Sequence, residues 1–192
     1  MIAAAVTHIA GQLNQHLRRT FESSEEVVVV SNLLEQDGTL ATNVNNRVVV
    51  FLVNVEKDAT AQRMPNVERQ GADGRVVSYP PIFLNLYVMV AAHFGAGNYA
   101  EALKFLSAAV GFFQGRPIFD HANSPDLDPR VERLVLDIEN LSVHDLSNLW
   151  GVLSGHYLPS VLYKVRMVAF DSGDIRRRTP AIRKPELSGR PG

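Results

Sequence analysis

The amino-acid sequence predicts an α/β (α+β) domain with a central mixed, mostly antiparallel sheet flanked by helices. Three observations predict this class. Apolar residues recur at helical spacing in three segments, β-branched or alternating runs fill five others, and the two kinds of segment are interspersed along the chain. With 192 residues, 46% of them apolar, one domain can bury a full core, and the absence of cysteine means that no disulfide is needed to staple it.

The first helix is read from Ile2, Val6, Ile9, Leu13 and Leu17, spaced by three and four, and ends near Phe21. Its basic Arg18 and Arg19 follow the apolar part, so it reads as a helix of the mature protein and not as a signal peptide. Val27 to Val30 and Arg47 to Glu56 are strands by their β-branched content, the second expected to be buried on both faces for most of its length. Lys57 to Ser78 turns polar and holds Pro65, Gly71 and Gly74, which predicts a long loop or β-hairpin arm acting as a contact element. The apolar run Ile82 to Phe94 alternates as a strand, with a buried helix as the alternative.

Asn98-x-x-Glu101 has the form of a capping box and opens a helix whose stripe of Tyr99, Leu103, Leu106, Val110 and Phe113 is expected to face the core, with Gly115 and Pro117 as its stop. After a turn-rich loop at 123–129, Val131 to Leu141 alternates as a half-buried strand. Ser142-x-x-Asp145 caps a short helix carrying Leu146, Leu149, Trp150 and Leu153 and ending at Gly155. In the last strand, Val161 to Phe170, Lys164 and Arg166 share a face, which must then be partly open to solvent or a partner. The domain is therefore expected to span 1–170. Residues 171–192, with three prolines and a net charge of +3 against −4 for the rest, read as a basic tail, either an arm for an acidic neighbour or a solubilising terminus.

Several function classes are disfavoured by this composition. A formal charge of −1 with 20% charged residues gives no strong electrostatic grip on nucleic acid, and no apolar run reaches the roughly 20 residues a membrane helix needs. Without Cys there is no thiolate metal site or cysteine nucleophile, and the six His form no metal-binding spacing. Ser142, His144 and Asp145 are adjacent, but helix capping already accounts for the Ser and the Asp. Gly95-x-Gly97-x-x-Ala100, with Asp120 further on, matches a dinucleotide fingerprint in outline, and a small nucleotide-binding module is the alternative function it supports. No enzyme, cofactor or metal is otherwise indicated. Trp150, Tyr157, Tyr163, Tyr87 and Phe113 give aromatic surface of the kind enriched in protein interfaces, with core packing as the competing explanation for each.

Four ordered blocks carry a more specific signal. They are Pro80-Pro-Ile-Phe-Leu-Asn-Leu-Tyr87, Tyr99-Ala-Glu-Ala-Leu through Gln114, Leu141-Ser-x-x-Asp-Leu-Ser-Asn-Leu-Trp150, and His156-Tyr-Leu-Pro-Ser-Val-Leu-Tyr-Lys-Val-Arg166. Together they resemble the tail-terminator, or cap, family of extracellular contractile injection systems of the antifeeding-prophage type, over residues 1 to 170. The resemblance implies a structural, non-enzymatic protein. It would form a homohexameric ring at the baseplate-distal end of a phage-tail-like particle assembled in the cytoplasm, and would end polymerisation of inner tube and sheath. A baseplate component of the same particle is the nearest alternative. The expected contacts to cap, tube and sheath neighbours are the arm 57–78, the open face at Lys164 and Arg166, and the basic tail with Arg176, Arg177 and Arg178. From the blocks come Pro80, Pro81, Asn85, Tyr87, Trp150, Pro159, Ser160 and Tyr163 as further interface candidates.

Overall fold

The β-branched and alternating runs pair into a six-stranded sheet that two helices cover on one face and one helix covers on the other. The computed structural model describes residues 1–35, 37–59, 68–71, 74–78, 82–95, 97–153, 156–169 and 175–179, with the strands inside 68–78 and 175–179 described by their backbone. The elements are α1 (Ile2–Thr20), β1 (Val28–Val30), β2 (Arg47–Lys57), β3 (Glu68–Gly71), β4 (Gly74–Ser78), β5 (Ile82–His93), α2 (Tyr99–Gly115), β6 (Ile118–Asp120), β7 (Val131–Ile138), α3 (Val143–Leu153), β8 (Ser160–Ala169) and β9 (Ile175–Thr179). The large sheet runs β1-β2-β5-β8-β7-β6 and is antiparallel except for β1 beside β2, which makes it the mixed, mostly antiparallel sheet expected.

α1 lays Val6, Ile9, Leu13 and Leu17 on the sheet face formed by Val48 and Val50 of β2, Leu86, Val88 and Val90 of β5, and Val165 and Met167 of β8. Asn14 interrupts the helix polarity for a reason. Its Oδ1 accepts from the amides of Val27 and Val28 at 2.9 and 3.0 Å, so it serves the start of β1, whose donors would otherwise be unmet. The opposite face of the sheet holds a second core, in which Val49, Phe51, Met89, Ala91 and Leu162 meet Trp150 of α3 and Leu33, Ala41 and Val44 of the loop between β1 and β2.

Three expectations change. β2 is buried only from Val48 to Phe51. From Leu52 onward it is mostly exposed, because α1 and the 31–46 loop cover its first half, while beyond it only Val53 packs against the second core. Asn98 makes no side-chain cap bond, and only its carbonyl engages the helix, accepting the Ala102 amide at 3.0 Å. The buried face of α2 is Ala102, Ala109 and Phe113, while Tyr99 and Leu103 are exposed. Small alanines let α2 approach the sheet and turn Phe105 and Phe112 toward α1, where their rings lie 4.2 Å from Phe21 and 4.7 Å from the His16 ring. β6 was not anticipated. Three residues are too few for periodicity to register, although Phe119 at its centre is fully buried.

The Ser142 cap is observed: the Asp145 amide donates to Ser142 Oγ at 3.1 Å and the Ser142 hydroxyl donates to the Asp145 carboxylate at 2.6 Å. The polar excursion after β2 contains the antiparallel pair β3 and β4, and β9 joins β4 to make a separate sheet of order β3-β4-β9. Residues 175–179 thus gain main-chain partners from the arm. Gly155 lies outside the described residues.

His8 sits in the first core with its ring T-shaped to Phe119 and Nδ1 3.6 Å from Asp126 Oδ2, while Nε2 has no partner among the described residues. Burial lowers its pKa below 6.5; Asp126 opposes the shift and Arg116 adds to it. The unfolded chain therefore binds the proton more readily, so this stability is present above 6.5 and is lost as pH falls through the folded value. His8→Leu should flatten the acid side of a stability-against-pH curve by up to about 1.4 kcal/mol per pH unit, read by urea unfolding at pH 7 and pH 5. An unchanged slope would mean that His8 does not titrate on unfolding.

Candidate assembly face

Beyond the reach of α3, the outer face of the sheet is polar. The register places Asn54, Tyr87, Lys164 and Asp137 in one row across β2, β5, β8 and β7, and Glu56, Asn85 and Arg166 in the adjacent row. Strand alternation is the cause: residues two apart on β5 and β8 share this face, and the shift after Leu52 brings Asn54 and Glu56 to it on β2.

The side chains cross-link the rows. Tyr87 Oη donates to Glu56 Oε2 at 3.0 Å, Asn54 Nδ2 donates to Glu56 Oε1 at 3.3 Å, and Lys164 Nζ stands 5.9 Å from the centre of the Tyr87 ring. Partial burial and then the Glu56 carboxylate raise the Tyr87 pKa, so the phenol keeps the proton it donates. Arg166 Nη2 donates to Asp137 Oδ2 at 2.9 Å, with half or more of each side chain exposed. An exposed pair of this kind adds about 0–1 kcal/mol to stability, so Arg166 is not a pillar of the fold.

Asn85 is the exception on this face. It is 6% exposed, and among the described residues its Oδ1 has no hydrogen-bond partner. It lines a cleft of about 430 Å³ together with Glu56, Lys57, Asp137, Lys164 and Arg166. A buried acceptor left unmet costs about 1–3 kcal/mol, which a docking donor would return.

The other candidates lie elsewhere. Tyr163 is 3% exposed on the opposite face, its ring 5.0 Å from Phe113, and burial pushes its hydroxyl up to about 12. Trp150 is buried in the second core with its indole edge-on to Tyr157 at 5.9 Å. Pro159 is buried and its carbonyl accepts the Ala92 amide at 2.9 Å, and Ser160 begins β8 opposite Ala91. Arg177 and Arg178 pair with Val77 and Val76 across β9 and β4, with Arg176 on the same strand. Pro80 and Pro81 lie outside the described residues. The structure thus gathers Asn85, Tyr87, Lys164 and Arg166 and adds Glu56 and Asp137, which sequence reasoning missed although both are polar residues within strand runs.

The glycine turn does not build a nucleotide site of the predicted kind. β5 before it is antiparallel to both neighbours, and Asp120 lies on β6 with β8 and β7 between that strand and β5. A dinucleotide fingerprint needs a parallel βαβ unit at this point. The Asp120 carboxylate instead accepts the amides of Ala122 and Asn123 at 3.0 and 3.1 Å. Among the described residues no group of three His, Asp or Glu is placed to hold a metal, and no helix is long and apolar enough to cross a membrane.

Comparison with known proteins gives a consistent family and fold. The sequence profile of the Pvc16 N-terminal domain matches residues 4–184, a span that extends past 170 and takes in β9. No curated protein sequence matches the chain. Among solved structures, the sheath/tube terminator of an extracellular contractile injection system, PVC, in its extended state, is similar with a TM-score of 0.66 at 13% identity, covering 100% of this chain and 64% of that one. The anti-feeding prophage cap, a tube terminating cap, is similar with a TM-score of 0.56 at 15% identity, covering 90% of this chain and 57% of that one. This chain spans about three-fifths of the length of either structure.

Proposed function

The chain belongs to the Pvc16 N-terminal domain family, and from that membership we propose that it is a terminator of a contractile injection system. It acts without catalysis. It assembles in the cytoplasm as a homohexameric ring at the baseplate-distal end of a phage-tail-like particle, contacts inner tube and sheath, and stops both from growing. The observation that carries the reading is the family match over most of the chain, supported by the fold shared with two terminator caps.

The physical requirements of such a cap agree with the residues. A ring closes when unlike surfaces of successive copies meet head to tail, so one subunit must carry two complementary faces. The open face with Asn85, Lys164 and Arg166 has what a contact surface needs, namely exposed charge of little value to the monomer and a buried acceptor awaiting a donor. In this reading residues 1–170 form the cap body, and the arm 57–78 and the basic segment 171–192 reach its neighbours.

Replacing both Lys164 and Arg166 by alanine tests the assignment. Stability should change by less than about 1 kcal/mol in urea unfolding, because both charges are partly or fully solvated. Particles carrying the double variant should lose their cap in electron micrographs. Caps retained at the normal frequency would remove this face from the interface.

A further inference from the structure

A second recess on the same side of the sheet has a different chemistry. Val53, Leu149 and Leu162 floor a groove of about 480 Å³ between α3 and β2, and Glu56, Glu139 and Asp145 line it with no basic residue among its walls. Val152, 86% exposed, stands on its α3 side. The groove is apolar at its base and negative at its rim. A fitting occupant is a short segment carrying both apolar and basic side chains.

This chain contains such a segment. Residues 180–192 hold Ile182 and Leu187 among Arg183, Lys184 and Arg190, with Glu186 the single acid. Starting from the end of β9 at Thr179, they reach up to about 45 Å when extended. We propose that the groove receives residues 180–192 of a neighbouring copy. The inference rests on the ring reading, which calls for two unlike surfaces of opposite character on one subunit; the groove and the segment are such a pair. Ile182 or Leu187 fills the floor beside Leu149 and Leu162, while the basic side chains meet the carboxylates of Glu56, Glu139 and Asp145.

The absence of native cysteine makes the test clean. Full-length protein carrying only Val152→Cys is mixed with full-length protein carrying only Ser188→Cys, oxidised, and run on non-reducing gels. Disulfide-linked dimers between the two variants are expected, forming faster than with Ser24→Cys, an exposed control on the loop after α1, in place of Val152→Cys. Glu139→Lys should slow that linkage about fivefold, since it sets like charges together at the rim. Equal rates at positions 152 and 24, or a 152–188 bond found only within one chain when both cysteines share it, overturn the proposal. Rings seen by negative stain without the 152–188 linkage would overturn this contact and leave the ring standing. Linkage without rings would uphold the contact and count against the ring.

Discussion

Phe113→Ala should cost about 3–5 kcal/mol, a large share of the stability of a domain of this size. Phe113 is 2% exposed and is the largest of the three buried side chains of α2. Its ring meets Phe112 at 5.1 Å and Tyr163 of β8 at 5.0 Å, so it links the helix to the centre of the sheet. The truncation leaves a cavity beside Tyr163, whose hydroxyl has no partner among the described residues. Water entering that space would satisfy the hydroxyl and bring the loss toward the lower end of the range. Urea unfolding should show a lower midpoint with an unchanged slope. A loss under about 1 kcal/mol would mean that α2 is not anchored through Phe113.

Trp150→Ala should be nearly as damaging, again about 3–5 kcal/mol, but with a local consequence on the other face. Trp150 is the buried residue of the eleven-residue α3, so its removal takes away that helix's hold on Val49, Phe51, Met89 and Leu162. Trp150→Phe separates packing from polarity. The indole Nε1 is buried without an acceptor among the described residues, so phenylalanine keeps most of the apolar contact and removes an unmet donor. The expected loss is under about 1.5 kcal/mol. Equal losses for the two substitutions would show that shape, and not bulk, holds α3 in place. Because Leu149 and Val152 line the acidic groove, Trp150→Ala should also abolish the cross-link through position 152.

The elements that sequence reasoning found are those whose pattern is long and self-consistent. α1 and β8 repeat their period over ten residues or more, so their existence and buried faces were legible, whereas the continuous apolar run of β5, buried on both faces over much of its length, left strand and buried helix both open. The buried face of α2 was misjudged because large residues occur all around that helix. Alanines at 102 and 109 set its approach, and only the packed neighbours reveal that. β6 is three residues long, too short to show a period, and β9 takes its structure from β4, a partner distant in sequence that no local pattern encodes.

The same division holds for the candidate assembly face. Lys164 and Arg166, two apart in an apolar strand, announced an open face by themselves. Their environment depended on register: Asp137 reaches Arg166 only because β7 lies beside β8, and Glu56 reaches Tyr87 only because the strand shifts after Leu52. The unmet acceptor on Asn85 could not be read from sequence at all, since burial and the absence of a donor are properties of the packed sheet. The four blocks that carried the family resemblance fall on β5, α2, α3 and β8, and several of their prominent residues, Trp150 and Tyr163 among them, serve the two cores. What is recognisable there is in large part the architecture.

A chain that ends tube and sheath growth, as proposed, sets the length of the particle. Particles assembled with and without the chain would be measured end to end in electron micrographs. A narrow length distribution and a ring at the baseplate-distal end are expected when the chain is present, and a broad distribution of uncapped tubes and sheaths when it is absent. Particles of unchanged length with intact distal ends in its absence would contradict the proposed role.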